Sequence, residues 1–164
     1  MHSRIVLAFV VASVLAVAVA AQVASSGEGA QAPVSKPAAD LIWIDLDPAG
    51  APGVKVADLW GNHEKGAFGA FFKLPAGFTA PLHTHTHTMK LVIVSGTYLQ
   101  SPEGKPEFRL GPGSYLMQPG GNYRHITRCD EASECLFFVE SDGPFDLHPA
   151  PAKKAPLPGA EEEP

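Results

Sequence analysis

The chain has 164 residues and a net charge of −5, with 17 acidic and 12 basic side chains. Nucleic-acid-binding proteins need a basic stripe that replaces the counterions of the phosphate backbone, so this acidic composition excludes nucleic acid as a partner. The length favours a single domain between two termini of low complexity.

The first 20 residues have the pattern of a secretory signal peptide. A short basic start is followed by an apolar run from Ile5 to Val19, and small residues precede a predicted cleavage point after Ala20. The apolar run is shorter than the roughly 20 residues needed to cross a bilayer. We therefore expect a periplasmic or secreted protein that has no membrane attachment after signal removal.

The rest of the chain divides by composition into a linker, a domain and a tail. Residues 21–39 are rich in Ala, Ser, Gly and Pro, and residues 150–164 are rich in Pro, Ala, Lys and Glu. Neither segment can bury enough apolar surface to offset its conformational entropy, so we expect both to be disordered. The folded domain is predicted over residues 40–149.

Short apolar or alternating runs, separated by Gly and Pro turns, fill the predicted domain. No stretch has sustained helical periodicity, so the pattern predicts an all-β sandwich or closed barrel. The predicted strands are 41–44, 54–60, 67–74, 81–85, 91–99, 114–118, 125–128 and 135–140.

Alternating histidines are the most unusual feature of this pattern. His83, His85 and His87 are three of only seven histidines in the chain. Side chains two residues apart point to the same face of a strand, so we expect His83 and His85 to project together. Adjacent neutral imidazoles suit a metal ion, and a merely solvated strand face is the alternative.

Two blocks around these histidines resemble the two sequence motifs of cupins. The first is similar to G-x5-H-x-H-x3-E-x6-G and the second to G-x5-P-x-G-x2-H. The matching residues are Gly77, His83, His85, Gly96, Gly113, Pro119, Gly121 and His125, the last of which stands one residue later than usual. With further segments such as Gly143-Pro144-Phe145-Asp146, the domain resembles a family of uncharacterised cupins, related in appearance to the metal-binding cupin half of anti-sigma factors.

This resemblance implies the cupin double-stranded β-helix, a jelly-roll barrel with a metal ion inside its mouth. It also implies that His83, His85 and His125 bind one divalent transition metal. Three neutral histidines suit Fe, Zn, Ni or Cu. Met89 stands where the motif has its Glu, so we expect a site that lacks a carboxylate and leaves one more coordination position open.

Two residues of the first block are left with two interpretations each. Met89 either donates its thioether to the ion or packs in the core. His87 follows His85 by two residues and would share its strand face if the strand continued. It either binds the metal or lies in water in the connection between two strands.

Cys129 and Cys135 flank a predicted hairpin tip. Two cysteines in an exported protein most simply form a disulfide, and the alternative is that Cys129 is a metal ligand. His63 and His148 lie near turns and are interpreted as surface residues. Gln118, close to the second motif, is interpreted as solvated, with the orientation of a bound anion as the alternative.

The site predicts a metal-dependent enzyme that acts on a small organic molecule. By resemblance to histidine-only cupin sites, we favour a dioxygenase for a diketone or enol compound. The alternative is a non-catalytic module that binds or senses a metal or small ligand, and fold similarity alone does not decide between them. A homodimer that pairs through an edge strand near residues 41–44 is a further expectation.

Overall fold

A computed structural model describes residues 32–151 of the chain. The predicted signal peptide, residues 21–31 of the predicted linker and residues 152–164 of the predicted tail lie outside the described residues. A 3-10 helix at Ala38–Asp40 precedes the strands. The strands are β1 (Ile44–Asp47), β2 (Ala51–Gly61), β3 (Phe68–Leu74), β4 (Thr79–Thr84), β5 (Met89–Ser95), β6 (Tyr98–Pro102), β7 (Phe108–Leu110), β8 (Tyr115–Gln118), β9 (His125–Cys129), β10 (Cys135–Ser141) and β11 (His148–Pro149).

The strands form two antiparallel sheets that together make the jelly-roll barrel. One sheet has six strands in the order β1-β2-β3-β10-β5-β8, and the other has five in the order β11-β4-β9-β6-β7. The all-β fold class and the jelly-roll architecture predicted from the sequence are therefore confirmed. No helix within residues 32–151 is both long and apolar enough to cross a membrane.

The core lies between the sheets and is built by alternation along the strands. In β10, every second residue from Cys135 to Ser141 is buried, because successive side chains of a strand point to opposite faces. The aromatic centre is Phe72, whose ring lies 5.8 Å from Phe137 and 5.3 Å from Phe145, centroid to centroid. Burial of such side chains is the main source of stability in a barrel of this size.

The structure differs from the predicted strands at the first strand and at Gly96. The predicted strand 41–44 overlaps β1 only at Ile44, because β1 runs from Ile44 to Asp47. The predicted strand 91–99 is two strands, β5 and β6, because Gly96 turns the chain at φ 76°. A Cβ at this position would lie 2.3 Å from the carbonyl oxygen of Glu134, so the turn requires glycine. The sequence pattern missed β7 and β11, which have only three and two residues.

Candidate metal centre

Three histidines from two neighbouring strands meet inside the barrel. His83 lies in β4 and is paired in register with His125 at the start of β9, while His85 directly follows β4. The exposed fractions are 2% for His83, 7% for His85 and 0% for His125. One ligand atom from each lies within 4.8 Å of the other two, so the fold gathers the three predicted ligands at one point.

Backbone carbonyls fix which ring nitrogen of each histidine carries the proton. Each Nδ1–H donates to a carbonyl oxygen: His83 to Pro81 at 2.6 Å, His125 to Tyr123 at 3.1 Å, and His85 to Asp146. A carbonyl only accepts hydrogen bonds, and a neutral imidazole has one N–H, so each Nε2 holds a lone pair. Histidines that bind metals in proteins are oriented in this way.

The Nε2 atoms of His83 and His85 are 3.2 Å apart. Two lone pairs at this distance repel each other, and a shared cation would remove the repulsion. The donor set of three neutral imidazole nitrogens therefore fits a divalent transition metal.

Burial keeps all three imidazoles in the neutral form that a metal requires. Desolvation lowers the pKa of His83, and it lowers the pKa of His85 to about 4 despite the hydrogen bond to the Asp146 carbonyl. Desolvation, together with the neighbouring His83, lowers the pKa of His125 to about 3. Protons therefore compete only weakly for these ligand atoms near neutral pH.

Met89 stands where the first cupin motif has its Glu, and Gln118 is its neighbour on the adjacent strand. Met89 is 5% exposed, belongs to the hydrophobic core and is paired in register with Gln118 of β8. Gln118 is only 2% exposed, so its interpretation as a solvated residue was wrong. Its amide N–H donates to Nε2 of His125, one of the candidate ligand atoms. Gln118 lies two residues after the half-buried Leu116 in β8 and therefore on the same face of the strand. This spacing was the signal that could have placed Gln118 inside.

His87 lies apart from the three-histidine cluster. It stands in the connection between β4 and β5 with a side chain 35% exposed, and its Nδ1 is 3.5 Å from a carboxylate oxygen of Asp142. This position matches the second interpretation from the sequence, that of a residue in the connection between strands.

A segment that we call the strap, residues 143–150, runs beside the histidines and ends with β11, which pairs with β4. The Phe145 ring packs against His85 at 5.5 Å between centroids. The strap also supplies the Asp146 carbonyl that accepts from His85, and the Asp146 carboxylate accepts from the backbone N–H of Thr86 at 2.8 Å. The strap therefore holds the ring of His85 from two sides.

The two histidines interpreted as surface residues both have partners. His63 is 5% exposed, and its Nδ1 lies 3.0 Å from both carboxylate oxygens of Asp58, so a surface position was wrong for His63. Its carbonyl accepts from the N–H of Phe145 at 2.7 Å, which ties it to the strap. His148 is 60% exposed, as expected, but its Nε2 lies 3.1 Å from the Asp146 carboxylate.

A small cavity of about 80 Å³ opens beside His83 and His85. Its walls are almost wholly apolar and include Leu91, Phe137 and Phe145. Tyr98 also lines it, but the Tyr98 hydroxyl is bonded to Thr127 at 3.0 Å, and burial raises the pKa of this phenol. The cavity thus offers an apolar compartment with the candidate metal centre at one wall.

Cys129 and Cys135 are joined by a disulfide between the end of β9 and the start of β10. This pairing corresponds to the simpler of the two interpretations from the sequence. In this pairing Cys129 has no thiolate to offer a metal.

Solved structures of similar fold include several cupins and enzymes. A polyketide cyclase, RemF from Streptomyces resistomycificus, matches with a TM-score of 0.61 at 15% identity over 71% of this chain and 84% of that chain. A cupin-2 domain protein from Rhodospirillum rubrum matches with a TM-score of 0.54 at 19% identity, over 75% and 82%. The DMSP lyase DddQ from Ruegeria pomeroyi DSS-3 matches with a TM-score of 0.52 at 24% identity, over 64% of this chain and 57% of that chain.

These identities are low, so the likeness shows the fold alone. No curated protein matches the chain in sequence. A family described as a domain of unknown function, DUF4437, matches residues 38–161, which include every described strand. The chain therefore belongs to the DUF4437 family, and its barrel has the fold of the cupin structures that it resembles.

Proposed function

We propose that the protein binds one divalent transition metal through His83, His85 and His125 and uses it to act on a small organic molecule. The observation that carries the proposal is the convergence of three buried Nε2 lone pairs, each fixed by a backbone carbonyl on the opposite ring nitrogen. Fe, Zn, Ni and Cu all accept this donor set.

A metal held there would supply Lewis acidity, or redox chemistry if it is Fe or Cu, toward a substrate oxygen. The residues of the chain would bind and enclose the substrate. His83 and His85 form one wall of the cavity, and Phe137 and Phe145 exclude water from the others. Exclusion of water strengthens the interaction between a metal and a charged oxygen.

The cavity supports a substrate with a compact apolar body and an oxygen that faces the histidines. Its volume of about 80 Å³ is roughly half that of the ~150 Å³ cavity that admits benzene in an engineered protein. The occupant therefore has only a few non-hydrogen atoms inside the cavity.

An oxygenase reaction on a diketone or enol compound is the finer form of the proposal. No Asp, Glu, Lys or Arg side chain of residues 32–151 lines the cavity. A substrate that already carries an acidic enol does not need a strong base from the protein. Molecular oxygen, being apolar, also suits this compartment.

The same lack of Asp, Glu, Lys and Arg side chains among the described residues that line the cavity gives weight to a second candidate, a non-catalytic module that binds a metal or small ligand. Solved structures of similar fold include enzymes, a polyketide cyclase and a DMSP lyase, but fold similarity alone does not decide between the two candidates. The two candidates share the metal centre and differ only in turnover.

Elemental analysis of the exported protein tests the metal centre. We expect about one metal ion per chain in the wild type and strong loss of metal in His83→Ala and His125→Ala. His87→Ala is the matched control, because His87 belongs to the same histidine run but lies outside the cluster. Wild-type protein without stoichiometric metal, or His83→Ala and His125→Ala variants that retain it, would contradict the proposal.

Oxygen consumption by the Fe-loaded protein with a panel of β-diketones and phenolic acids separates the enzyme from the binding module. Uptake of oxygen that depends on substrate and is lost in His125→Ala supports the oxygenase. Metal binding without turnover across the panel supports the binding module.

Export and pairing of two chains also remain our proposals. The disulfide supports an oxidising compartment such as the periplasm. Ile44 lies in β1, an edge strand of the six-stranded sheet, and is 46% exposed, which supports pairing at this edge. Fractionation of cells that express the whole chain and sedimentation of the purified protein test these two proposals.

A further inference from the structure

Gln118, whose side-chain amide is buried, stands opposite the position where the first cupin motif has its Glu. Met89 fills the position where the first cupin motif has its Glu, and the register of β5 and β8 places Gln118 directly opposite Met89. Both side chains point into the barrel, with exposed fractions of 5% and 2%. Of the two, only Gln118 carries an oxygen atom, and carbonyl oxygens are ligands for divalent cations.

Contact with the histidines already brings this amide to the candidate metal centre. The polar partner of the Gln118 side chain is Nε2 of His125, the atom whose lone pair faces the centre. In this arrangement the amide N–H donates to that lone pair. Gln118 and the two first-motif histidines also line the same cavity.

We propose that Gln118 supplies its amide oxygen as the fourth protein ligand of the metal bound by His83, His85 and His125, an inference that rests on the proposed function. A cation on the lone pair of His125 removes the acceptor of the Gln118 N–H and repels the positive end of the amide dipole. Rotation of the amide about its last torsion exchanges nitrogen and oxygen, which have nearly the same shape. The oxygen then faces the cation.

A centre of this kind differs in charge from one that contains the Glu of the motif. Three imidazoles and an amide are all neutral, so the bound ion keeps its full double charge. Substitution of Gln118 by Glu adds a carboxylate where the amide oxygen stood and should tighten metal binding. Substitution by Leu removes the ligand and should weaken it.

Zinc competition against a chromogenic chelator measures these effects without any assay of activity. We expect Gln118→Leu to bind Zn²⁺ on the order of 10- to 100-fold more weakly than wild type, and Gln118→Glu to bind it more tightly than wild type. Met89→Leu is the matched control, because it changes the opposing residue without loss of an oxygen ligand. The affinity of Met89→Leu should equal that of wild type, whereas a loss there would assign the ligand to the thioether instead.

A crystal structure of the zinc-loaded wild-type protein separates a ligand from a residue that merely orients His125. We expect the Oε1 atom of Gln118 at about 2.0–2.2 Å from the zinc ion. A separation beyond about 3 Å overturns the inference, as does wild-type affinity in a correctly folded Gln118→Leu variant. If that variant does not fold by circular dichroism, the crystal structure and Gln118→Glu still decide.

The same measurements distinguish the failure of this inference from the failure of the proposed function. If wild type does not bind zinc, or binds it without the three histidines, the metal centre itself is wrong. If the three histidines bind zinc while Gln118 stays remote from it, only the fourth ligand is wrong.

Discussion

Acidification should destabilise the metal-free protein through its buried histidines. Burial lowers the pKa of His85 to about 4 in the folded chain, whereas histidine in an unfolded chain has a pKa of about 6.5. As the pH falls below 6.5, the unfolded chain binds a proton that the folded chain does not bind, so the free energy of unfolding decreases. The stabilisation is complete above pH 6.5 and is lost progressively as the pH falls toward 4.

The size of this effect follows from the displacement of the pKa. One pKa unit corresponds to about 1.4 kcal/mol, so His85 alone should lower the free energy of unfolding by on the order of 3 kcal/mol between pH 7.5 and pH 4. His85 is 7% exposed, so bulk water screens this effect very little. Small domains have total stabilities of about 5–15 kcal/mol, which makes the loss easy to measure.

Urea unfolding of chelator-treated protein at several pH values between 7.5 and 4 measures the loss. Surface carboxylates also respond to pH, so the comparison is with His85→Gln, which cannot titrate but keeps a polar side chain of similar length. The variant should have a shallower dependence of stability on pH, by about the amount assigned to His85. If both proteins show the same dependence, or if the wild type gains stability relative to the variant as the pH falls from 6.5 to 4, the reasoning is refuted.

Three further outcomes are expected. Phe145→Ala removes the ring that packs on His85, and it should cost about 3 kcal/mol or less in urea unfolding because the ring is only partly buried; no change would show that the strap does not pack in solution. Tyr98→Phe removes the hydroxyl bonded to Thr127 and should cost about 1 kcal/mol by the same measurement, and a gain in stability would contradict the bond. Reduction of the disulfide, which closes a short loop, should cost about 2 kcal/mol in unfolding with and without reductant, and identical midpoints would contradict a closed bond in the exported protein.

The sequence predicted the three-histidine cluster because two local rules determine it. Alternation along a strand places His83 and His85 on one face, and the second motif places His125 in a strand that pairs with theirs. Backbone register then brings the rings together without any further information. The turn at Gly96 could be anticipated as a boundary, but not as the separation of one predicted strand into β5 and β6.

The supporting contacts could not be predicted, for different physical reasons. The backbone carbonyl of Asp146 holds the ring of His85. Every residue type has a backbone carbonyl, so the sequence does not indicate this contact. His63 stands in the turn that follows β2 and contacts Asp58, five residues earlier in that strand, and the alternation rule for strands does not extend into a turn to predict this contact. Gln118 was interpreted as solvated because it is polar and precedes a turn, and these two features outweighed its position on the same strand face as Leu116.

The donors at the candidate centre, which include the proposed ligand Gln118, bear on the charge of the substrate. With Met89 in the carboxylate position, each donor at the centre is neutral, and no Asp, Glu, Lys or Arg side chain among residues 32–151 lines the adjacent cavity. A divalent cation bound there would be the main charge in an apolar compartment, where an unpaired charge is costly. An anionic oxygen from the substrate would relieve that cost, so a metal-loaded centre would favour enolates and other small oxyanions over neutral ligands of the same shape. Under the proposed function, the negative charge that the Glu of the cupin motif supplies would here come from the substrate.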